Sequence, residues 1–171
     1  MKKVFLLLIV FLIIGLSGCL NQNPIPDQKC LNETEKTMNN FKLALEKTAI
    51  YKQSSNVDFD SPFCIEDGKF LLLTTDEKSI CQRTCLADYS VCTLLRYSSS
   101  EVTGIQDKCI DIPTNTYFTD SVTGPSYCEK IQGYSPVEEF EYTEIEKGIY
   151  QFISSPSSTE NTPVICVYKK I

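Results

Sequence analysis

Cysteine is the residue type with the most distinctive chemistry in this chain, which contains nine of them. Thiols can pair as disulfides, exchange disulfides or bind metal ions. Eight of them follow the first 29 residues: Cys30, Cys64, Cys81, Cys85, Cys92, Cys109, Cys128 and Cys166. Because eight is an even number, we expect these cysteines to form up to four disulfides. The possible pairings number on the order of a hundred, and spacing does not select one.

Two other uses of these thiols are less consistent with their spacing. A thiol–disulfide exchange protein using Cys81 and Cys85 is one alternative, but redox pairs usually have two intervening residues and this pair has three. Zinc and iron–sulfur sites favour C-x-x-C pairs, which do not occur, and the chain has no histidine to complete a mixed site. We therefore expect structural disulfides, no metal and no cofactor.

Carboxylates form the second group of candidate catalytic residues. Five glutamates lie close together in the sequence: Glu138, Glu139, Glu141, Glu144 and Glu146. Two carboxylates opposed across a cleft can hydrolyse a glycoside, so a carboxylate-dependent hydrolase is another alternative. Acidic residues on an edge strand more commonly keep it soluble and deter pairing with other chains. The absence of histidine excludes Ser-His-Asp and Cys-His catalysis, and we expect this protein not to be an enzyme.

Aromatic residues are concentrated in the second half of the chain. Eight fall within 36 residues: Tyr117, Phe118, Tyr127, Tyr134, Phe140, Tyr142, Tyr150 and Phe152. Most are expected to pack in the core or across strands. Tyr117 and Phe118 are the best candidates for ligand contact, because they lie in a stretch that reads as a loop.

Periodicity predicts two helices that would position the cysteines. Met38, Phe41 and Leu45 recur at helical spacing within an amphipathic helix over about 32–52. A second helix is predicted over about 76–97, where the cysteines at 81, 85 and 92 would share one stripe. Side chains on one helix are nearly parallel, so each thiol should reach a different segment. This helix should therefore be tied to at least two other elements.

The remaining segments predict short strands. An apolar run over 68–73 and a strand over 164–169 flank the cysteine-rich part of the chain. Residues 140–142 and 149–153, separated by a turn near Gly148, have the pattern of a hairpin. The predicted fold class is α+β: two helices packed on a small, mostly antiparallel sheet and stapled by up to four disulfides.

The N-terminus has the organisation of an export signal. Lys2 and Lys3 precede an apolar run, Val4 to Leu16, whose thirteen residues are too few to span a membrane. The run ends in Leu16-Ser17-Gly18-Cys19, which resembles the lipobox of prokaryotic lipoproteins. The resemblance covers residues 1–19 and implies that the Cys19 thiol is diacylated and residues 1–18 are removed. An uncleaved N-terminal anchor is the alternative.

These features predict a signal peptide over 1–18, a tether over 19–29 and a single extracytoplasmic domain over 30–171. Loss of Lys2 and Lys3 changes the formal net charge from −6 to −8, which disfavours binding to nucleic acid. The membrane partner would be reached through lipid on Cys19. We expect a lipid-anchored lipoprotein on the extracytoplasmic side of a cell membrane or envelope, with a non-catalytic binding or structural role and an unspecified protein or small-molecule partner.

Overall fold

The computed structural model describes residues 28–59, 68–86, 88–99, 105–119, 128–138 and 140–171. The predicted leader, Cys19, most of the tether, Cys64, Tyr127 and Glu139 lie outside the described residues. Within them are two helices and nine strands: α1 Gln28–Tyr51, β1 Ser55–Phe59, β2 Lys69–Thr75, α2 Lys78–Cys85, β3 Cys92–Ser98, β4 Lys108–Ile110, β5 Tyr117–Thr119, β6 Tyr134–Pro136, β7 Glu144–Ile145, β8 Gly148–Ser154 and β9 Val164–Lys170.

The first helix, α1, forms where the amphipathic pattern predicts it. Its buried stripe includes Met38, Phe41 and Leu45, and the charged side chains lie off that stripe. The helix ends where Lys52 takes a left-handed conformation at φ +55° and Thr48 donates a hydrogen bond to the carbonyl of Gln53. It begins at Gln28, so residues 28 and 29, which the sequence assigned to the tether, are helical.

The strands form two sheets where the sequence predicted one. The first sheet has the order β1-β8-β9-β5, and β6 also pairs with β9. The second has the order β4-β3-β2-β7. Within the described residues, the pairs of named strands are antiparallel except β5 with β9. The α+β class and the mostly antiparallel pairing are confirmed.

The second helix is shorter than predicted. It stops at Cys85, because Leu86 adopts the left-handed conformation at φ +54°, and residues 92–98 form β3 instead of the helix end. Seven residue pairs join β3 to β2, from Lys69 with Ser98 to Thr75 with Cys92. A continuous strand partner thus overrides the helical spacing of the cysteines.

The predicted hairpin over 140–153 is also wrong. Strand β7 pairs with β2 in one sheet, whereas β8 pairs with β1 and β9 in the other. The chain changes sheet just before Gly148, whose φ is +153°. L-residues rarely adopt this conformation, and a Cβ here would also displace the Lys169 side chain, whose Cε atom would lie 2.7 Å away, so the position favours glycine.

A single apolar cluster joins α1 to both sheets. Phe41 of α1 lies with its ring centroid 5.5 Å from that of Phe70 on β2 and 5.2 Å from that of Phe152 on β8. The ring of Phe140 stacks on that of Phe41, with the two centroids 6.2 Å apart. The two sheets are thus held together through one face of α1.

Candidate functional site

The structure pairs six of the predicted disulfide cysteines with one another. The bonds join Cys81 to Cys92, Cys85 to Cys109, and Cys128 to Cys166. The first two connect α2 to β3 and to β4, which confirms that this helix is tied to two other elements. The expectation that Cys81 and Cys92 reach separate segments from one helix is wrong, because Cys92 lies on a strand and bonds to Cys81 itself.

This arrangement bears directly on thiol exchange. Cys81 and Cys85 do not form a mutual pair: each bonds to a cysteine of a different strand. Cys81 and Cys92 are buried, with 0% and 4% of their surface exposed, so an attacking thiolate has little access to that bond. The geometry is that of two covalent links holding a short helix against β3 and β4.

Cys30 is also disulfide-bonded, and its partner is not among the other six described cysteines. The chain has two cysteines outside the described residues, Cys19 and Cys64. The sequence offers both as candidate partners of Cys30, and the choice between them decides which sulfur remains for other chemistry.

Lysines pair with two of the candidate catalytic glutamates. Lys69 forms an ion pair with Glu144, and Lys169 lies 3.4 Å from the Glu146 carboxylate. The hydrogen bond and the charge of Glu144 raise the pKa of Lys69. Both glutamate side chains are more than half exposed, at 56% and 70%, so each carboxylate sits in water beside a cation. An acid that must donate a proton needs an apolar or like-charged setting, which these two lack.

Burial distinguishes the two aromatic candidates for ligand contact. Both Tyr117 and Phe118 lie on strand β5, not in a loop. Tyr117 is 60% exposed, and its backbone N–H donates to the carbonyl of Pro163. Phe118 packs against the core with its ring 5.3 Å from that of Phe140. Tyr117 is the member of the pair available to a partner.

A groove between α1 and β1 is a further concave surface, which the sequence pattern did not predict. Its volume is about 390 Å³, and it is lined by Asn40, Leu43, Ala44, Lys47, Ser55, Asn56, Val57 and Asp58. Leu43 is 49% exposed and lies outside the buried stripe of α1. An apolar residue off the core face of an amphipathic helix was the signal available in the sequence.

Comparisons with protein families, curated proteins and solved structures found no match for the chain. Neither described helix has the length and apolar character needed to cross a membrane. In the part of the chain that the structure describes, no group of three or more His, Cys, Asp and Glu side chains is arranged to hold a metal ion.

Proposed function

We propose that this chain is a lipoprotein of a cell envelope, anchored through Cys19, whose disulfide-bonded domain binds a partner without catalysing a reaction. The pairing of cysteines carries the proposal. All seven described cysteines are in disulfides, which persist in oxidising compartments outside the cytosol. If Cys30 bonds to Cys64, one sulfur of the nine remains, and it belongs to the cysteine of the lipobox-like sequence.

A binding role is supported by the state of the candidate catalytic groups. Ion pairs with lysine engage the carboxylates of Glu144 and Glu146. Cys81 and Cys85 serve as links between elements. The groove beside β1, by contrast, has polar side chains that make no hydrogen bond or ion pair with other described residues: Asn40, Lys47, Asn56 and Asp58.

Lipid attachment is tested by expressing the full chain in a bacterium fed an alkyne-bearing fatty acid. We expect the chain to be labelled, to partition into detergent, and to have a mature mass that begins at a diacylglyceryl Cys19. Cys19→Ser should remain unlabelled and keep residues 1–18. Ser17→Ala is the matched control, because a small residue at that position should still be processed. Label on Cys19→Ser, or an unlabelled wild-type chain that retains Met1, would refute the anchor.

The non-catalytic part of the proposal is tested on the same purified protein. We expect no thiol to react with a maleimide before denaturation and reduction, and no acceleration of disulfide reduction in a substrate protein such as insulin. Exchange activity that is lost in Cys85→Ser would instead establish a redox enzyme.

A further inference from the structure

The groove between α1 and β1 runs along the edge of the five-stranded sheet. Among the described residues, β1 pairs with β8 alone and stands last in the strand order. An edge strand presents backbone N–H and C=O groups that another extended chain can pair with. Four consecutive residues of β1, from Ser55 to Asp58, line the groove, so its strand edge opens into this space.

The opposite wall is one face of α1. Three residues, 52–54, connect α1 to β1, so the strand runs back along the last turns of the helix. Lys47 therefore lies near the Ser55 end of the groove and Asn40 near the Asp58 end. Seven helical residues span about 10 Å, which matches the length of about 10 Å from Ser55 to Asp58. Proteins can capture an extended peptide as an additional strand at an exposed sheet edge, where pockets for alternate side chains give specificity.

We propose that the groove between α1 and β1 binds an extended segment of a partner protein as an additional strand beside β1, with an acidic residue of that segment near Lys47 and a basic residue near Asp58. This inference rests on the proposed binding function and supplies its site and the chemistry of its partner.

The two faces of β1 determine the pattern of the added strand. Val57 points to the core and Asp58 to solvent, so side chains added beside β1 alternate in the same way. A residue opposite Val57 would lie against Leu43 and Ala44, which favours an apolar side chain. A residue opposite Asp58 would face outward, where a lysine or arginine pairs with the carboxylate.

Lys47 supplies the second charge. Its ammonium group makes no ion pair with another described residue, and it lines the groove on the α1 side. A residue opposite Ser55 also faces α1, since it is two positions from the residue opposite Val57. An acidic side chain there meets Lys47. An antiparallel segment, read from its N-terminus, would therefore have a basic residue, an apolar residue, any residue and then an acidic residue.

A second copy of this chain fits the groove less well. Pairing through β1 would bring a second α1, with a diameter of about 10 Å, into the same space. The chain is also acidic, with a formal net charge of −6, so two copies repel each other. A separate segment, one strand wide, avoids both problems.

The test uses the full chain purified in a mild detergent and the capped hexapeptide acetyl-Thr-Lys-Val-Thr-Glu-Thr-amide with a neutral fluorescent label. We expect saturable binding by anisotropy. A peptide with a photoreactive group in place of its valine should crosslink to the protein within residues 40–47 or 55–58. The same peptide with N-methyl groups on its valine and following threonine should not bind, because it cannot form a strand pair.

Charge reversal separates this site from nonspecific attraction. Lys47→Glu and Asp58→Lys should each weaken binding about fivefold, as expected for loss of one exposed ion pair. The double variant should bind acetyl-Thr-Glu-Val-Thr-Lys-Thr-amide about as well as the wild-type chain binds the first peptide. Lys170→Glu, an exposed residue of β9, is the matched control and should have no effect.

The inference is overturned if the wild-type chain shows no saturable binding, if the N-methylated peptide binds equally, if crosslinks map outside the groove, or if Lys170→Glu acts like Lys47→Glu. Lipid labelling of Cys19 is read out independently by mass. Failure of peptide binding in a labelled protein therefore refutes the groove as a peptide site and leaves the lipid anchor intact.

Discussion

Two residues of α1 that are both apolar, Phe41 and Leu43, have opposite environments. The Phe41 side chain is fully buried and touches rings from both sheets, whereas Leu43 is 49% exposed in the groove. The sequence identified Phe41 as a core residue because it belongs to the helical stripe. It did not assign Leu43 a role, because exposed leucines are common on protein surfaces.

Replacement of these residues should give very different losses of stability. We expect Phe41→Ala to lower the free energy of unfolding by about 3 to 5 kcal/mol, because it leaves a cavity at the junction of the sheets. Leu43→Ala on the same helix should cost less than about 1 kcal/mol. Urea unfolding followed by circular dichroism measures both values. Equal losses would mean that the junction does not depend on this ring.

Tyr150 provides a pH-dependent test at the same scale. Its hydroxyl donates a 2.6 Å hydrogen bond to the carbonyl of Glu146, and burial, followed by the charge of Glu146, raises the pKa of the phenol. Because the pKa is higher in the folded state than in the unfolded state, the neutral phenol stabilises the fold. This contribution is complete at pH values below the unfolded pKa of about 10. That stability is lost as pH rises above it.

We therefore expect the stability advantage of the wild-type chain over Tyr150→Phe to shrink by about 1.4 kcal/mol between pH 8 and pH 11. Urea unfolding at several pH values measures this difference. Tyr168, whose pKa is also raised by burial, remains in both proteins and cancels in the comparison. Curves that stay parallel over this range would show that Tyr150 ionises as readily in the folded state as in the unfolded one.

At the scale of elements, helix α1 and strand β9 could be predicted from periodicity, and the extent of α2 could not. Residues 86–97 continue the helical spacing of the cysteines, but β2 offers β3 seven partner positions. The hairpin predicted around Gly148 is wrong for the same reason, since β7 and β8 flank this turn yet join different sheets. Local pattern does not report which distant strand is available as a partner.

Helix α2 should depend on its covalent links. It has eight residues and no side-chain hydrogen bond at its N-cap, and isolated helices of this length are not stable. We expect replacement of both Cys85 and Cys109 by alanine to lower the free energy of unfolding by about 3 kcal/mol. Amides of 78–85 should then exchange with solvent much faster, while those of β2 stay protected.

Hydrogen exchange read by mass spectrometry makes this measurement. Replacement of both Cys128 and Cys166 by alanine is the control, because that disulfide lies at the other sheet. It should leave the exchange of α2 relative to β2 unchanged. If α2 stays as protected as β2 without the link to Cys109, packing alone holds the helix.

For the whole molecule, the α+β class and the involvement of the cysteines in disulfides could be predicted, and the connectivity could not. Which cysteines meet depends on two sheets and on a chain that changes between them at Gly148. The groove could not be predicted either, because it forms only where the helix and the edge strand lie side by side. All of its lining residues fall within 40–58, but the position of β1 at the sheet edge depends on its pairing with β8, about ninety residues further along the chain.

The remaining disulfide gives a prediction for the whole chain. We expect digestion of the unreduced protein to yield a linked peptide pair containing Cys30 and Cys64, with Cys19 absent from every disulfide. Cys64→Ser should leave a thiol at Cys30 that reacts with a maleimide after denaturation. Cys19→Ser should not. A linked pair of Cys30 and Cys19 would contradict this pairing and remove the sulfur needed for the lipid.

Strand β9 follows β5, β6 and β8 in the chain, yet it lies inside their sheet, between β8 on one side and β5 and β6 on the other. Synthesis therefore produces β5, β6 and β8 before the strand on which they assemble. Until the ribosome has released this segment and Cys166 has met Cys128, strands β5, β6 and β8 lack their shared partner. A chain interrupted before β9 should therefore leave this sheet unassembled, with its apolar surface exposed to aggregation or to chaperone binding.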